Sequence, residues 1–91
     1  MSEADEMFEE LGYKKEICDL VSKDFSKKLA EIDCYKKVVN ANRIKYIFFD
    51  TVQKGFGKRF YDADNNYIED GYFLANELKA INKKCEELKW L

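Results

Sequence analysis

A basic and aromatic segment in the second half of the chain carries the residue types best suited to recognition chemistry. Residues 54–61 read Lys-Gly-Phe-Gly-Lys-Arg-Phe-Tyr, and the first four and the last of them match a strand motif of RNA-recognition sheets. In such sheets aromatic faces stack on bases while cations contact phosphates. Lys58 and Arg59 replace the Phe and Val of the motif, and only Phe56 occupies a stacking position. The match to nucleic-acid binding is therefore partial.

The same part of the chain supplies the candidate partner-binding residues. Residues 38–61 hold five basic side chains and one acidic one, whereas residues 1–13 hold five acids and no base. The formal net charge of −2 is thus a cancellation of opposite blocks, and it is too small for a protein that mimics DNA by charge. We expect binding by shape and aromatic contacts, with these candidate residues: Lys45, Lys54, Phe56, Lys58, Arg59 and Tyr61.

Catalytic constellations are missing from the sequence. The chain has no histidine, so a cysteine or serine nucleophile has no imidazole base beside it, and no phosphate-cradling glycine loop is present. The run Asp62-x-Asp64-x-Asn66 imitates the start of a calcium loop, but Tyr67 and Phe73 stand where that loop needs Gly and Glu. We predict an Asx turn there, no cofactor, no metal and no enzymatic activity.

Three cysteines, Cys18, Cys34 and Cys85, form no local Cys-x-x-Cys pair. The acidic N-terminal segment has no apolar core of a signal peptide, and no apolar run approaches the roughly 18 residues that span a bilayer. The pattern predicts reduced, mostly buried thiols in a cytosolic protein without a membrane contact. A metal site that joins the three thiolates with an aspartate stays open as an alternative.

The first third of the chain is predicted to be helical. Ala4, Met7, Phe8 and Leu11 fall on one face of a helix over residues 2–11, which Ser2 caps and Gly12 ends. Apolar residues between 16 and 31 also follow helical spacing and predict a second helix. A strand over residues 13–19 followed by a loop is the competing interpretation.

The remainder predicts a sheet and a final helix. Residues 34–39, 43–50 and 56–61 are separated by turn-forming residues and indicate an antiparallel meander, followed by an acidic turn over residues 62–71. A helix over residues 73–91 has an apolar seam, formed by Leu74, Leu78, Ile81, Cys85 and Leu88.

Length and composition set the scale of the fold. A chain of 91 residues with 46% hydrophobic and 37% charged residues predicts a single domain over residues 1–91. Its aromatic residues, 15% of the chain, should mostly fill the core. The expected class is α+β: a three-stranded antiparallel meander flanked by N-terminal helices and a C-terminal amphipathic helix.

Both ends of the chain resemble a known group of proteins. The stretches Ala-Asp-Glu-Met-Phe-Glu-Glu-Leu-Gly-Tyr at 4–13 and Glu-Leu-Lys-Ala-Ile-Asn-Lys-Lys-Cys-Glu-Glu-Leu-Lys-Trp at 77–90 are similar to small, functionally unassigned proteins of phages and prophages of low-GC Gram-positive bacteria. Residues 47–50 resemble them more loosely, and Lys89 stands where these proteins usually carry Gly. The resemblance implies an accessory phage protein in a bacterial cytoplasm and supplies no catalytic or binding residues.

Small accessory phage proteins without a catalytic set commonly bind a host protein, and inhibition of a defence nuclease, as by anti-CRISPR proteins, is one such role. The leading hypothesis is therefore a protein that binds a host protein. A nucleic-acid-binding module that uses residues 43–61 is the first alternative. A self-associating structural protein, with an uncovered sheet face as its homo-oligomer interface, is the second.

Overall fold

The computed structural model describes residues 2–21 and 26–91. Its elements, in chain order, are α1 (Glu3–Glu10), β1 (Lys14–Val21), β2 (Lys28–Asn40), β3 (Arg43–Asp50), β4 (Gly55–Tyr61), β5 (Tyr67–Glu69), a 3-10 turn (Ala75–Glu77) and α2 (Leu78–Glu87). The strands form one antiparallel sheet in the order β1-β2-β3-β4-β5. The α+β class is confirmed, but the sheet has five strands where the sequence predicted three.

The first helix is confirmed. The Ser2 hydroxyl accepts a hydrogen bond from the backbone N–H of Asp5 at 3.1 Å, which caps a terminus whose donors lack partners within the helix. Gly12, at φ +93°, adopts a left-handed conformation that costs glycine little. The chain therefore leaves the helix at this glycine and enters β1.

The second predicted helix, over residues 16–31, is wrong. Its start lies in β1 and its end in β2, which begins at Lys28, and its residues 22–25 lie outside the described part of the chain. The competing strand over residues 13–19 was closer to the structure. In β1 burial alternates along the strand, so pairing with β2 outweighs the local helical spacing of the apolar residues.

The acidic segment at residues 62–71 contains the predicted turn and also an unpredicted strand. Asp62 Oδ1 accepts hydrogen bonds from the backbone N–H groups of Asp64 at 3.0 Å and Asn66 at 2.8 Å, which confirms the Asx turn. The three residues Tyr67–Glu69 then pair with β4 as β5. A strand this short is difficult to recognise from its sequence because it contains too few residues to show alternation.

Both helices pack on one face of the sheet, where the core lies. Phe8 of α1 stacks on Tyr35 of β2 with ring centroids 4.0 Å apart, and Phe49 meets both rings edge-on. Ile81 and Cys85 of α2 complete the same cluster. We refer to this side of the sheet as the covered face.

The predicted seam of the last helix is only partly correct. Ile81 and Cys85 are buried, whereas Leu74 and Leu78 are 43% and 54% exposed. The helix instead turns Lys84 inward, where its Nζ donates a hydrogen bond to Asp33 Oδ2 at 2.6 Å. A local apolar pattern cannot predict that Lys84 turns inward, because its partner Asp33 lies on a strand distant in the chain.

A buried carboxylate ties the helical layer to the sheet. Glu77, in the turn before α2, is 2% exposed and accepts hydrogen bonds from Lys45 Nζ of β3 and from the Tyr13 hydroxyl. Its other oxygen accepts the backbone N–H of Leu74 at 2.8 Å. Burial raises the pKa of Glu77, but the bonds from Lys45, Tyr13 and Leu74 outweigh this effect and hold the pKa below its usual value.

Replacement of Lys45 by Met should be strongly destabilising, because it leaves Glu77 as a buried charge without its cation. We expect Lys45→Met to lower the free energy of unfolding by about 3–5 kcal/mol. The exposed Lys79 provides the matched control, and Lys79→Met should change the free energy of unfolding by less than about 0.5 kcal/mol. Urea unfolding followed by circular dichroism measures both, and equal effects of the two variants would contradict the role of Lys45.

The lowered pKa of Glu77 also predicts a pH dependence. A carboxyl whose pKa is lower in the folded state stabilises the fold above its unfolded pKa, and this contribution is lost as the pH falls through the folded value. The stability advantage of the wild type over Glu77→Gln should therefore be larger at neutral pH than in acid. Urea unfolding of both proteins across that pH range measures the difference, and a constant difference would contradict the prediction.

Candidate binding face

Within the part of the chain that the structure describes, no helix lies on the second face of the sheet, and this face is the candidate functional site. Successive side chains of a strand point to opposite faces, so the neighbours of the core residues line this open face. Strand register arranges them in rows across the sheet. One row contains Lys14, Lys36, Tyr46 and Arg59, and the adjacent row contains Glu16, Cys34, Phe48 and Gly57.

A cavity of about 570 Å³ opens on this face beside the row of cations. Its walls are mostly apolar and include aromatic rings. They are formed by Glu16, Cys18, Asp19, Leu20, Val21, Ile32, Cys34, Tyr46, Phe48, Arg59, Tyr61 and Asn65. A volume of this size falls within the range of ligand pockets.

The aromatic rings of the open face interlock rather than lie flat. Tyr61 meets Tyr46 at an interplanar angle of 87° and Tyr67 at 74°. The Arg59 guanidinium carbon lies 5.3 Å from the centroid of the Phe48 ring. Edge-on rings and a ring covered by a cation present few free faces, and stacking platforms for bases need such faces.

Gly57 makes room for the Phe48 ring. The two residues are direct cross-strand partners, and a Cβ at Gly57 would lie 2.5 Å from Phe48 Cζ. Only a residue without a side chain therefore allows the ring to lie across β4 and form the floor of the open face.

Two of the three cysteines join β1 to β2 beside the cavity. Cys18 and Cys34 form a disulfide with Cα atoms 6.2 Å apart, so the expectation of reduced thiols, and the alternative of three thiolates around a metal, are wrong for this pair. Cys85 is a buried free thiol, as predicted, and burial raises its pKa. No local pattern predicts this disulfide, because the register of β1 and β2 brings the two cysteines together.

The six candidate partner-binding residues do not form one surface. Lys45 and Lys58 are 3% and 6% exposed; Lys45 bonds to Glu77, and Lys58 donates to the backbone oxygen of Asp70 at 2.6 Å. Burial and the nearby charge of Lys45 lower the pKa of Lys58. Both lysines are thus held inside the covered face.

The other four candidates are divided between the two faces and a turn. Phe56, the predicted stacking residue, packs against Phe49 and Phe73 on the covered face, although it keeps 44% exposure. Lys54 lies in the exposed turn before β4, at φ +58°. Arg59 and Tyr61 lie on the open face. The motif at 54–61 therefore does not present its basic and aromatic side chains on one face.

Four residues of the open face were missed by the sequence reasoning: Lys14, Lys36, Tyr46 and Phe48. Tyr46 and Phe48 are two residues apart in a strand and therefore share a face, and that alternation was the available signal. The row itself depends on the register of β1, a strand that had been predicted to be helical. Within residues 2–21 and 26–91, Lys14, Lys36 and Arg59 form no ion pair with a carboxylate within 4.0 Å.

Comparison with known proteins adds no identity. No family model, no curated protein and no solved structure matches the chain. The described residues hold no group of three or more cysteine, aspartate or glutamate side chains placed to bind a metal ion. Among the helices of this part of the chain, none has the length and apolar character that a membrane crossing requires.

The close approach of Gly57 and Phe48 leads to a test of the open face. Gly57→Ala should displace the Phe48 ring and lower the free energy of unfolding by about 1–3 kcal/mol, as expected for overpacking. Gly55→Ala is the matched control, since a Cβ there meets nothing within 4 Å. Chemical denaturation measures the change in the free energy of unfolding of both variants. An equally small change in the two would contradict the close packing of Phe48 over Gly57.

Proposed function

We propose that this protein acts by binding another protein through the open face. The observation that carries the proposal is the asymmetry of the sheet: both helices cover one face, while the other keeps a cavity, aromatic side chains and cations. Tyrosine and arginine are enriched among the residues that dominate binding energy at protein interfaces. Both residue types border the cavity at Tyr46, Arg59 and Tyr61.

The chemistry of the face favours one kind of partner. Lys14, Lys36 and Arg59 stand in one row with no carboxylate partner among the described residues, and Glu16 lies in the neighbouring row. Three strand spacings separate the ends of the cationic row, about 14 Å in all. The partner that complements it presents an apolar or aromatic side chain for the cavity, flanked by carboxylates for the cations.

A nucleic acid is the less suitable occupant. Its binding depends on several phosphate contacts, and two of the five basic residues in 38–61 are buried on the covered face. The rings of the open face are also engaged with one another or with Arg59. The implied bacterial host, and a defence nuclease within it, remain predictions of the resemblance; they indicate where a partner can be sought.

Charge reversal on the open face tests the proposal. The tagged wild type should capture a stoichiometric protein from a lysate of a low-GC Gram-positive bacterium. The double variant Lys36→Glu with Arg59→Glu should reduce its affinity for the purified partner at least about tenfold, because interfacial like charges repel. Titration calorimetry measures the affinity.

The control is Lys54→Glu with Lys79→Glu, which makes the same charge change at exposed positions away from the cavity. Retention of the partner by this control and its loss from the open-face variant support the proposal. Equal binding by both variants, or capture that disappears after nuclease treatment, would contradict it.

A further inference from the structure

The first strand forms a free edge of the sheet. β1 pairs with β2 on one side and is the outermost strand in the order β1-β2-β3-β4-β5. Alternate residues of such a strand direct their backbone N–H and C=O groups away from the sheet. Within the described residues, no segment pairs with these groups. The opposite edge, β5, has three residues, whereas β1 has eight.

The middle of this edge lacks several of the devices that usually block pairing. Natural edge strands are protected by proline, by bulges, by short length or by charged side chains, and of these devices β1 has the charged side chains. The chain has no proline. The irregularity near Val21 adds an extra residue to β2, between Lys28 and Ala30, and leaves β1 itself regular. Ile17, at the middle of the edge, is 61% exposed.

The sequence of β1 is complementary to itself in one antiparallel register. When Ile17 lies opposite Ile17 of a second copy, Lys15 lies opposite Asp19, and the two-fold axis repeats this pair on the other side of the isoleucines. These three residue positions alternate along the strand and therefore share one face. Two ion pairs then flank a central apolar contact.

Neighbouring registers lose this complementarity. Placing Glu16 opposite itself sets like charges against each other. Placing Cys18 opposite itself leaves Lys15 opposite Val21 and Asp19 opposite Ile17, so neither charge faces an opposite charge. Like charges directly opposite one another destabilise a strand pair, and opposite charges stabilise it. The charge pattern thus selects the register that is centred on Ile17.

The charged residues remain accessible for such contacts. The Lys15 side chain is 40% exposed while it pairs with Asp5 at 3.3 Å, and Asp19 is 61% exposed while it pairs with Lys28 at 3.4 Å. Exposed ion pairs of this kind contribute little affinity, so their main effect is to favour one strand register over the others. The backbone hydrogen bonds and the burial of Ile17 supply the association.

We propose that two copies of this chain associate through β1, antiparallel and centred on Ile17, to form a continuous ten-stranded sheet. The partner is a second copy because the strand complements its own charges. This inference concerns the edge of the sheet and is independent of the proposed function of the open face. The dimer would also join the two open faces, since Glu16, Cys18 and Leu20 of β1 lie on that side.

Charge exchange across the two-fold axis provides a sharp test. Sedimentation velocity over a concentration series should show a monomer–dimer equilibrium for the wild type. Lys15→Asp and Asp19→Lys should each weaken the dimer by about tenfold or more, since each turns two attractive pairs into repulsive ones. An equimolar mixture of the two variants should restore association, because each copy then carries the charges that the other lacks.

Two further variants complete the experiment. Lys14→Asp is the matched control, because Lys14 faces the uncharged Leu20 in this register, and it should leave dimerisation unchanged. Ile17→Lys should abolish dimerisation even if Lys15→Asp, which also removes the pairs with Asp5 and Asp33, fails to fold. Circular dichroism verifies folding of each variant.

Two outcomes would overturn the inference. The first is a wild type that stays monomeric throughout the series. The second is a dimer that persists in both Asp19→Lys and Ile17→Lys. In that second case, dissociation of the dimer by Lys36→Glu with Arg59→Glu would place the contact on the open face.

Discussion

The carboxylate of Glu77 lies where three parts of the chain meet. Tyr13 follows the first helix, Lys45 belongs to the central strand, and Glu77 opens the last helix. A buried charge must be compensated by hydrogen bonds and an opposite charge, and this arrangement is met when both helices lie on the same side of the sheet. The aromatic cluster of Phe8, Tyr35 and Phe49 fills the space around it.

This requirement determines what the other side of the sheet can do. Because both helices pack on the covered face, the aromatic rings of the open face and the cations Lys14, Lys36 and Arg59 stay at the surface. The chain thereby separates two kinds of positive charge. Lys45 and Lys84 hold the helical layer through Glu77 and Asp33, whereas the cations of the open row have no such internal partner among the described residues.

The predictions that rest on local chemistry were mostly correct, whereas those that depend on contacts between separate segments were wrong. The strands at 43–50 and 56–61, the Ser2 cap, the Gly12 stop and the Asx turn at Asp62 all follow from local chemistry, and each is found close to where it was expected. The helix predicted over 16–31 is wrong because its two ends lie in β1 and β2, which pair with each other. The candidate site was divided because Lys45, Lys58 and Arg59 look alike in sequence, while only their position in the sheet distinguishes inside from outside.

The sequence by itself determined the α+β class, the aromatic core and the concentration of basic and aromatic residues between 38 and 61, since these depend on composition and short-range spacing. The tertiary structure alone decided the five-stranded register, the Cys18–Cys34 disulfide and the inward turn of Glu77 and Lys84. Those features depend on pairs of residues far apart in the chain. Whether a charged side chain is a structural contact or a binding group depends on the partner that folding brings to it.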